Sequence, residues 1–121
     1  MLLDSNVLIF WTTRSPILPP GARSAIREAP SVSVSMATVW ELEIKKGIGK
    51  LHDVLNWEKI WGSGVALLDI EVDDAIVAGW LPLHHRDPFD RMIIAQAKRR
   101  GLPIVTRDRA FEHYGVPVIW A

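Results

Sequence analysis

Asp4, Glu41, Asp90 and Asp108 each stand just after a strand-like apolar run or on the first turns of the helix that follows it. In a parallel α/β fold such turning points converge on one edge of the sheet, where ligands bind. Carboxylates gathered there repel one another unless a cation neutralises them. The pattern therefore points to a hard-metal site and, through it, to phosphate chemistry. The chain has no cysteine and no His-x-x-x-His helix, so the ligands would be oxygens, which suits Mg²⁺ or Mn²⁺.

Each acid also has a plainer explanation. Asp4 could cap the next helix, and Asp108 could cap a short helix beginning at Arg109. Glu41 follows Thr38 in a Thr-x-x-Glu capping box and could pair with Lys45. Asp90 lies in a first helical turn, where negative charge is favoured. Position separates the readings. Asp90 is in line with Ile93, Ile94 and Ala97, and Glu41 with Ala37 and Ile44, so both side chains align with apolar stripes that face a core edge. Burying several ionised carboxylates together costs several kcal/mol each without compensation, and a cation supplies it.

Asp87 is a fifth candidate, read mainly as the N-cap of the helix at Pro88. Ser5, Asn6 and Thr106 are placed to hydrogen-bond and orient the carboxylates beside them. Lys45, Lys46 and Arg91 are the nearest basic candidates for phosphate contacts. His52, His84, His85 and His113 fall in loops or at helix ends and are expected to be exposed rather than catalytic.

The elements that must position these residues alternate strand and helix. Leu2-Leu3 begins a short buried strand ending at Asp4. Val7 to Trp11 is either a buried helix or a strand extension. A helix starts near Pro20 and runs to about Ala29, Ser31 to Ser35 alternates as a strand, and a helix runs from about Met36 to Lys46. Asp53 to Trp61 reads as a helix, Val65 to Ile70 as a strand and Val72 to Leu81 as a helix ended by Pro82. Pro88 to Arg100 is the clearest helix, with Asp87 before it and Gly101 after it. Pro103 to Thr106 is a strand, Asp108 to His113 a short helix and Val116 to Trp120 a last strand. Short apolar strands separated by helices imply a parallel sheet covered on both faces. The six tryptophans read as core or as an oligomer surface.

The 121 residues suffice for one domain with a real core, and 49% are hydrophobic. Met1 to Asn6 lacks a basic leader region, and no apolar run approaches the roughly 18 residues of a membrane span. A soluble, cytoplasmic protein is expected. Charge balances at fourteen basic and fourteen acidic residues, against the basic excess usual in nucleic-acid binders. Half of the basic residues, however, lie between Arg86 and Arg109. Lys98, Arg99 and Arg100 in that stretch suit either a substrate-facing surface or a solvated helix end.

Leu2-Leu3-Asp4-Ser5-Asn6-Val7-Leu8, Thr38-Val39-Trp40-Glu41-Leu42-Glu43-Ile44-Lys45, Asp87-Pro88-Phe89-Asp90-Arg91-Met92-Ile93-Ile94-Ala95-Gln96-Ala97 and Val105-Thr106-Arg107-Asp108 together resemble a PIN domain, in particular the VapC-type toxins of bacterial type II toxin–antitoxin pairs. The resemblance spans about residues 2 to 120. It implies a three-layer α/β/α fold with a central parallel sheet of about 4–5 strands, formed by residues 1–121 as a single domain. It further implies that Asp4, Glu41, Asp90 and Asp108 are an acidic quartet binding Mg²⁺ or Mn²⁺, with Asp87 competing with Asp90 for the third place. The implied activity is endoribonuclease, with tRNA or ribosomal RNA as substrate. The implied partners are a second copy of the chain and a VapB-like antitoxin that covers the site. Two other classes remain: a phosphotransferase with Asp4 as nucleophile, and a non-catalytic dimeric module whose acids bind metal or a partner.

Overall fold

The computed structural model describes residues 1–51 and 55–121. Five strands, β1 (Leu2–Leu3), β2 (Val32–Ser35), β3 (Val65–Leu68), β4 (Ile104–Thr106) and β5 (Val118–Trp120), form one parallel sheet in the order β3-β2-β1-β4-β5. Leu2 lies opposite Ser33 on one side and Ile104 on the other. The chain leaves β1 toward β2 and returns on the far side at β4. The crevice beyond the carboxyl ends of β1 and β4 is thus a topological switch point, where ligands of open α/β sheets bind.

Successive strand residues point to opposite faces, so each short strand feeds two cores. On one face Leu3, Val34 and Val105 pack with Val7 and Leu8 of α1 (Ser5–Thr12), Ile26 of α2 (Pro20–Glu28), Leu42 of α3 (Met36–Gly47) and Ile60 of α4 (Trp57–Gly62). On the other, Leu2 and Ile104 pack with Ala78 of α5 (Val72–Trp80), Ile93 and Ile94 of α6 (Pro88–Arg100), and Phe111 of a 3₁₀ helix, Arg109–Tyr114. The result is the expected three-layer α/β/α arrangement. Each fully buried Leu or Ile contributes about 1.5–3 kcal/mol of transfer free energy. The helix expected from Asp53 begins outside the described residues, as does His52.

Local chemistry sets the boundaries. The Val7–Trp11 run is helical because β1 stops after two residues and Asp4, in extended conformation, accepts a hydrogen bond from Ser5 N–H. The helix α6 has the expected ends. Asp87 Oδ1 accepts from the N–H groups of Phe89 and Asp90 at 2.8 and 3.2 Å, and Gly101 takes the left-handed conformation (φ 64°) that ends the helix. The expected Thr38/Glu41 capping box is absent. Ser35 caps α3 instead, accepting from Ala37 N–H at 3.0 Å, so Glu41 lies well inside the helix with its carboxylate unneeded at the terminus.

One surface reading is corrected. Arg99 and Arg100 do not form a substrate-facing surface. Both bind Asp74 on α5, whose carboxylate is fully buried, and Arg100 also binds Glu71 at 2.6 Å. Burial alone would raise Asp74, but hydrogen bonds from Arg100, the Glu71 backbone and Arg99 outweigh it and hold the carboxyl at about 2. Lys98 donates to the Tyr114 carbonyl at 3.0 Å. The tryptophans divide as expected between core and surface: Trp11, Trp57 and Trp61 pack partly buried against the first core, whereas Trp80 is 87% exposed and Trp40 63%. Among the described residues, no helix is long and apolar enough to cross a membrane.

Candidate metal centre

Four elements deliver the carboxylates to the switch point. Asp4 closes β1, Glu41 comes from the second turn of α3, Asp90 from the first turn of α6, and Asp108 from the cap of the 3₁₀ helix after β4. All four line one cleft of ≈ 550 Å³. Asp87, Ser5 and Asn6 line it as well, as do Phe10, Lys45 and Arg107. The cleft thus gathers five carboxylates against two cationic side chains.

Each carboxylate is held by a neighbour. Asp4 is 7% exposed; its Oδ1 accepts from Ser5 N–H at 2.7 Å and its Oδ2 from the Thr106 hydroxyl at 2.7 Å. Thr106 Oγ1 also accepts from Asp108 N–H at 3.0 Å, so one hydroxyl links two of the acids. The Ser5 hydroxyl donates to Glu41 Oε1, and Lys45 approaches Glu41 Oε2 at 3.5 Å. Asp108 Oδ1 caps the 3₁₀ helix at Ala110 N–H. Asn6 makes no hydrogen bond to these carboxylates among the described residues, unlike Ser5 and Thr106.

The electrostatics follow from this crowding. Burial pushes Asp90 up, and the charges of Asp4, Asp87, Glu41 and Asp108 add to it, carrying the carboxyl to about 8. Burial also raises Asp4, against the lowering effect of its bonds from Thr106 and Ser5, with Glu41 and Asp108 raising it further. A group of carboxylates that resist joint ionisation, lined by oxygen donors, fits a divalent hard cation. Asp87 has Oδ1 committed to two backbone N–H groups, whereas Asp90 Oδ2 lies 2.9 Å from His85 Nε2.

The basic and histidine residues depart from expectation. Arg91 does not reach the cleft. Its guanidinium donates to the carbonyls of Ala78, Leu81, Pro82 and His85, closing the end of α5 and the loop after it. Lys46 pairs with Glu43 at 3.3 Å, and only Lys45 of the two lysines lines the cleft. Arg107 lines the cleft instead, its guanidinium 5.7 Å from the Phe10 ring centre. His85, expected to be exposed, is only 15% so, with Nε2 2.9 Å from Asp90 Oδ2 and 2.7 Å from Asp108 Oδ2. Its one sequence signal was its place two residues before the Asp87 cap, and that of Arg107 its adjacency to Asp108.

A parallel α/β domain with an acidic cleft at its switch point defines the class. The PIN domain family model matches residues 1–117, and this chain belongs to that family. Ribonuclease VapC22 of Mycobacterium tuberculosis is 31% identical over 121 residues, covering 97% of this chain and 93% of that protein. The structure of a DNA-bound VapBC from Salmonella typhimurium superposes with a TM-score of 0.71 at 25% identity, over 98% of this chain and 96% of that one. A toxin–antitoxin complex from Klebsiella pneumoniae shares the fold, with a TM-score of 0.67 at 23% identity over 98% and 94% of the two chains.

Proposed function

We propose that this chain is the toxin ribonuclease of a toxin–antitoxin pair: an endoribonuclease dependent on Mg²⁺ or Mn²⁺, acting in the cytoplasm on tRNA or ribosomal RNA, with residues 1–121 as one domain. The observation that carries the reading is the convergence of Asp4, Glu41, Asp90 and Asp108 from four elements onto one cleft. The match to Ribonuclease VapC22 and to VapBC-type assemblies supports it.

In this reading Asp4, Asp90 and Asp108 hold the cation, and Glu41 completes the set or assists in deprotonating the attacking water. When bound, Mg²⁺ or Mn²⁺ polarises the scissile phosphate and lowers the pKa of a water. Thr106 fixes Asp4 and Ser5 fixes Glu41, so the oxygens keep their places as substrate enters. Lys45 and Arg107 flank the acids as phosphate contacts, and the Phe10 ring offers a face for a base.

Partners follow from surfaces. Met36, Trp40, Ile44 and Ile48 form an exposed apolar stripe on α3 and just beyond it; Val72, Ile76, Trp80 and Leu83 form another along α5 and the loop after it. Stripes of this size fit the homodimer face. In this reading a VapB-like antitoxin segment covers the acidic cleft, and a second cleft of ≈ 600 Å³, where Trp11, Leu55 and Ile60 meet Arg14, Arg27 and Lys59, offers it a further seat.

The test is the chemistry of the ends. Purified protein given total cellular RNA and Mg²⁺ is expected to leave 5′-phosphates, since water rather than the 2′-hydroxyl attacks. Products ending in 2′,3′-cyclic phosphate, or cleavage that persists in EDTA, would refute the mechanism.

A further inference from the structure

We propose that His85 is the positioning residue of this centre: its Nε2–H binds Asp108 beside Asp90 and holds the pair for cation binding without itself becoming a ligand. The inference rests on the reading of the cleft as a cation site. Two distances and one tautomer carry it.

Nε2 hydrogen-bonds Asp108 Oδ2 at 2.7 Å and lies 2.9 Å from Asp90 Oδ2. On the other side of the ring, Nδ1 accepts from the Asp87 backbone N–H at 3.2 Å. A ring nitrogen that accepts carries no proton, so the proton of the neutral imidazole is on Nε2. Nε2 is therefore the donor to Asp108 Oδ2, with Asp90 Oδ2 2.9 Å away, and in this tautomer has no lone pair to offer a cation.

The ring is held from several directions. Phe111 packs edge-on against it, with ring centres 5.8 Å apart at 76°. The His85 backbone N–H donates to Tyr114 Oη at 2.6 Å, and its carbonyl accepts from Arg91. Tyr114 in turn donates to the Pro82 carbonyl at 2.7 Å. The loop between α5 and α6 is thus fastened at both edges, and the imidazole is aimed at the acids. Asp90 and Asp108 come from different elements, the first turn of α6 and the cap of the 3₁₀ helix. Without this donor their side chains would splay apart, and a cation would have to gather them as it bound. Outer partners that orient ligands in this way are worth about 10- to 100-fold in metal affinity.

The experiment compares Mn²⁺ binding, read by electron paramagnetic resonance, in the wild type, His85→Gln and His85→Ala. Gln places an amide N–H near the position of Nε2–H, whereas Ala removes the donor. The expected result is Mn²⁺ binding about 10- to 100-fold weaker in His85→Ala and near wild type in His85→Gln. In parallel, ¹⁵N spectra of the wild-type imidazole with Cd²⁺ bound should show Nε2 still protonated and uncoupled to the metal. This readout stands even if the Ala variant does not fold. A His85→Ala protein that binds as wild type, a Gln variant as weak as Ala, or a ring nitrogen coupled to Cd²⁺ overturns the inference while leaving the cation site in place. A wild type that binds no Mn²⁺ overturns the site and the inference together.

Discussion

Replacing Asp90 with Asn should make the metal-free protein more stable while abolishing its activity. Asp90 titrates near 8 in the folded chain against an ordinary 3.8, so between those values the folded state holds a proton that the unfolded state has lost. Stability of the wild type therefore falls as pH rises from about 4 to about 8, and is unaffected by this group below about 4. At about pH 7.5 the gap of nearly four pH units corresponds to at most about 5 kcal/mol, at about 1.36 kcal/mol per unit. Relaxation, water entry and the shared charge of the neighbouring acids reduce this, and a gain of about 1–3 kcal/mol is expected. Asn keeps an oxygen that can accept from His85 Nε2, so little else changes. The assay is urea unfolding in EDTA at about pH 5 and about pH 7.5, using the difference between variant and wild type to cancel other titrating groups. The advantage of Asp90→Asn should be small at the lower pH and large at the higher. Mg²⁺ at about 1,000 times Kd should then reverse the order, because only the wild type gains stability by binding, about 4.1 kcal/mol. A variant less stable than wild type at the higher pH, or a difference independent of pH, would refute the reasoning.

Other perturbations separate the roles of neighbouring residues. Arg91→Ala should destabilise the fold by about 2–4 kcal/mol, by stranding carbonyls of α5 and the loop after it, with KM for RNA unchanged once the protein is folded; a raised KM at full stability would return Arg91 to the substrate site. Thr106→Val removes the hydroxyl shared by Asp4 and Asp108 and should lower kcat at least about tenfold while costing only about 1–2 kcal/mol in urea unfolding; unchanged turnover would show that Asp4 needs no such support. Trp80→Arg on the exposed stripe of α5 should convert a dimer to monomers in analytical ultracentrifugation without altering the circular dichroism spectrum. A variant that stays dimeric would place the interface elsewhere.

The fold was legible where chemistry is local. Asp87, Pro88 and Gly101 mark both ends of α6 because a cap, a fixed φ and a left-handed residue act within a few positions of the boundary. The strand–helix alternation exposed the parallel sheet, and the four acids stood out because each follows the end of a strand or opens a helix. What remained hidden depends on distant partners. Lys98, Arg99 and Arg100 form a basic run, but Asp74, some 25 residues away, decides that Arg99 and Arg100 clamp α5. His85 looked like a loop histidine because Asp108, 23 residues away, defines its surroundings. Arg91 lies beside Asp90 in sequence, yet on the helix its side chain leaves in another direction, toward the carbonyls at the end of α5. Trp40 and Trp80 sit in apolar stripes that face outward, and periodicity alone does not tell a core from an interface.

If the acidic cleft hydrolyses RNA with a divalent cation, Asp4, 7% exposed and held by Ser5 and Thr106, is a carboxylate it cannot lose. Wild type and Asp4→Asn, purified in parallel, should be incubated with total cellular RNA in Mg²⁺ and in EDTA. The account predicts discrete fragments from the wild type in Mg²⁺ alone and intact RNA in the other three reactions. Equal cleavage by Asp4→Asn, or wild-type cleavage undiminished by EDTA, would contradict it.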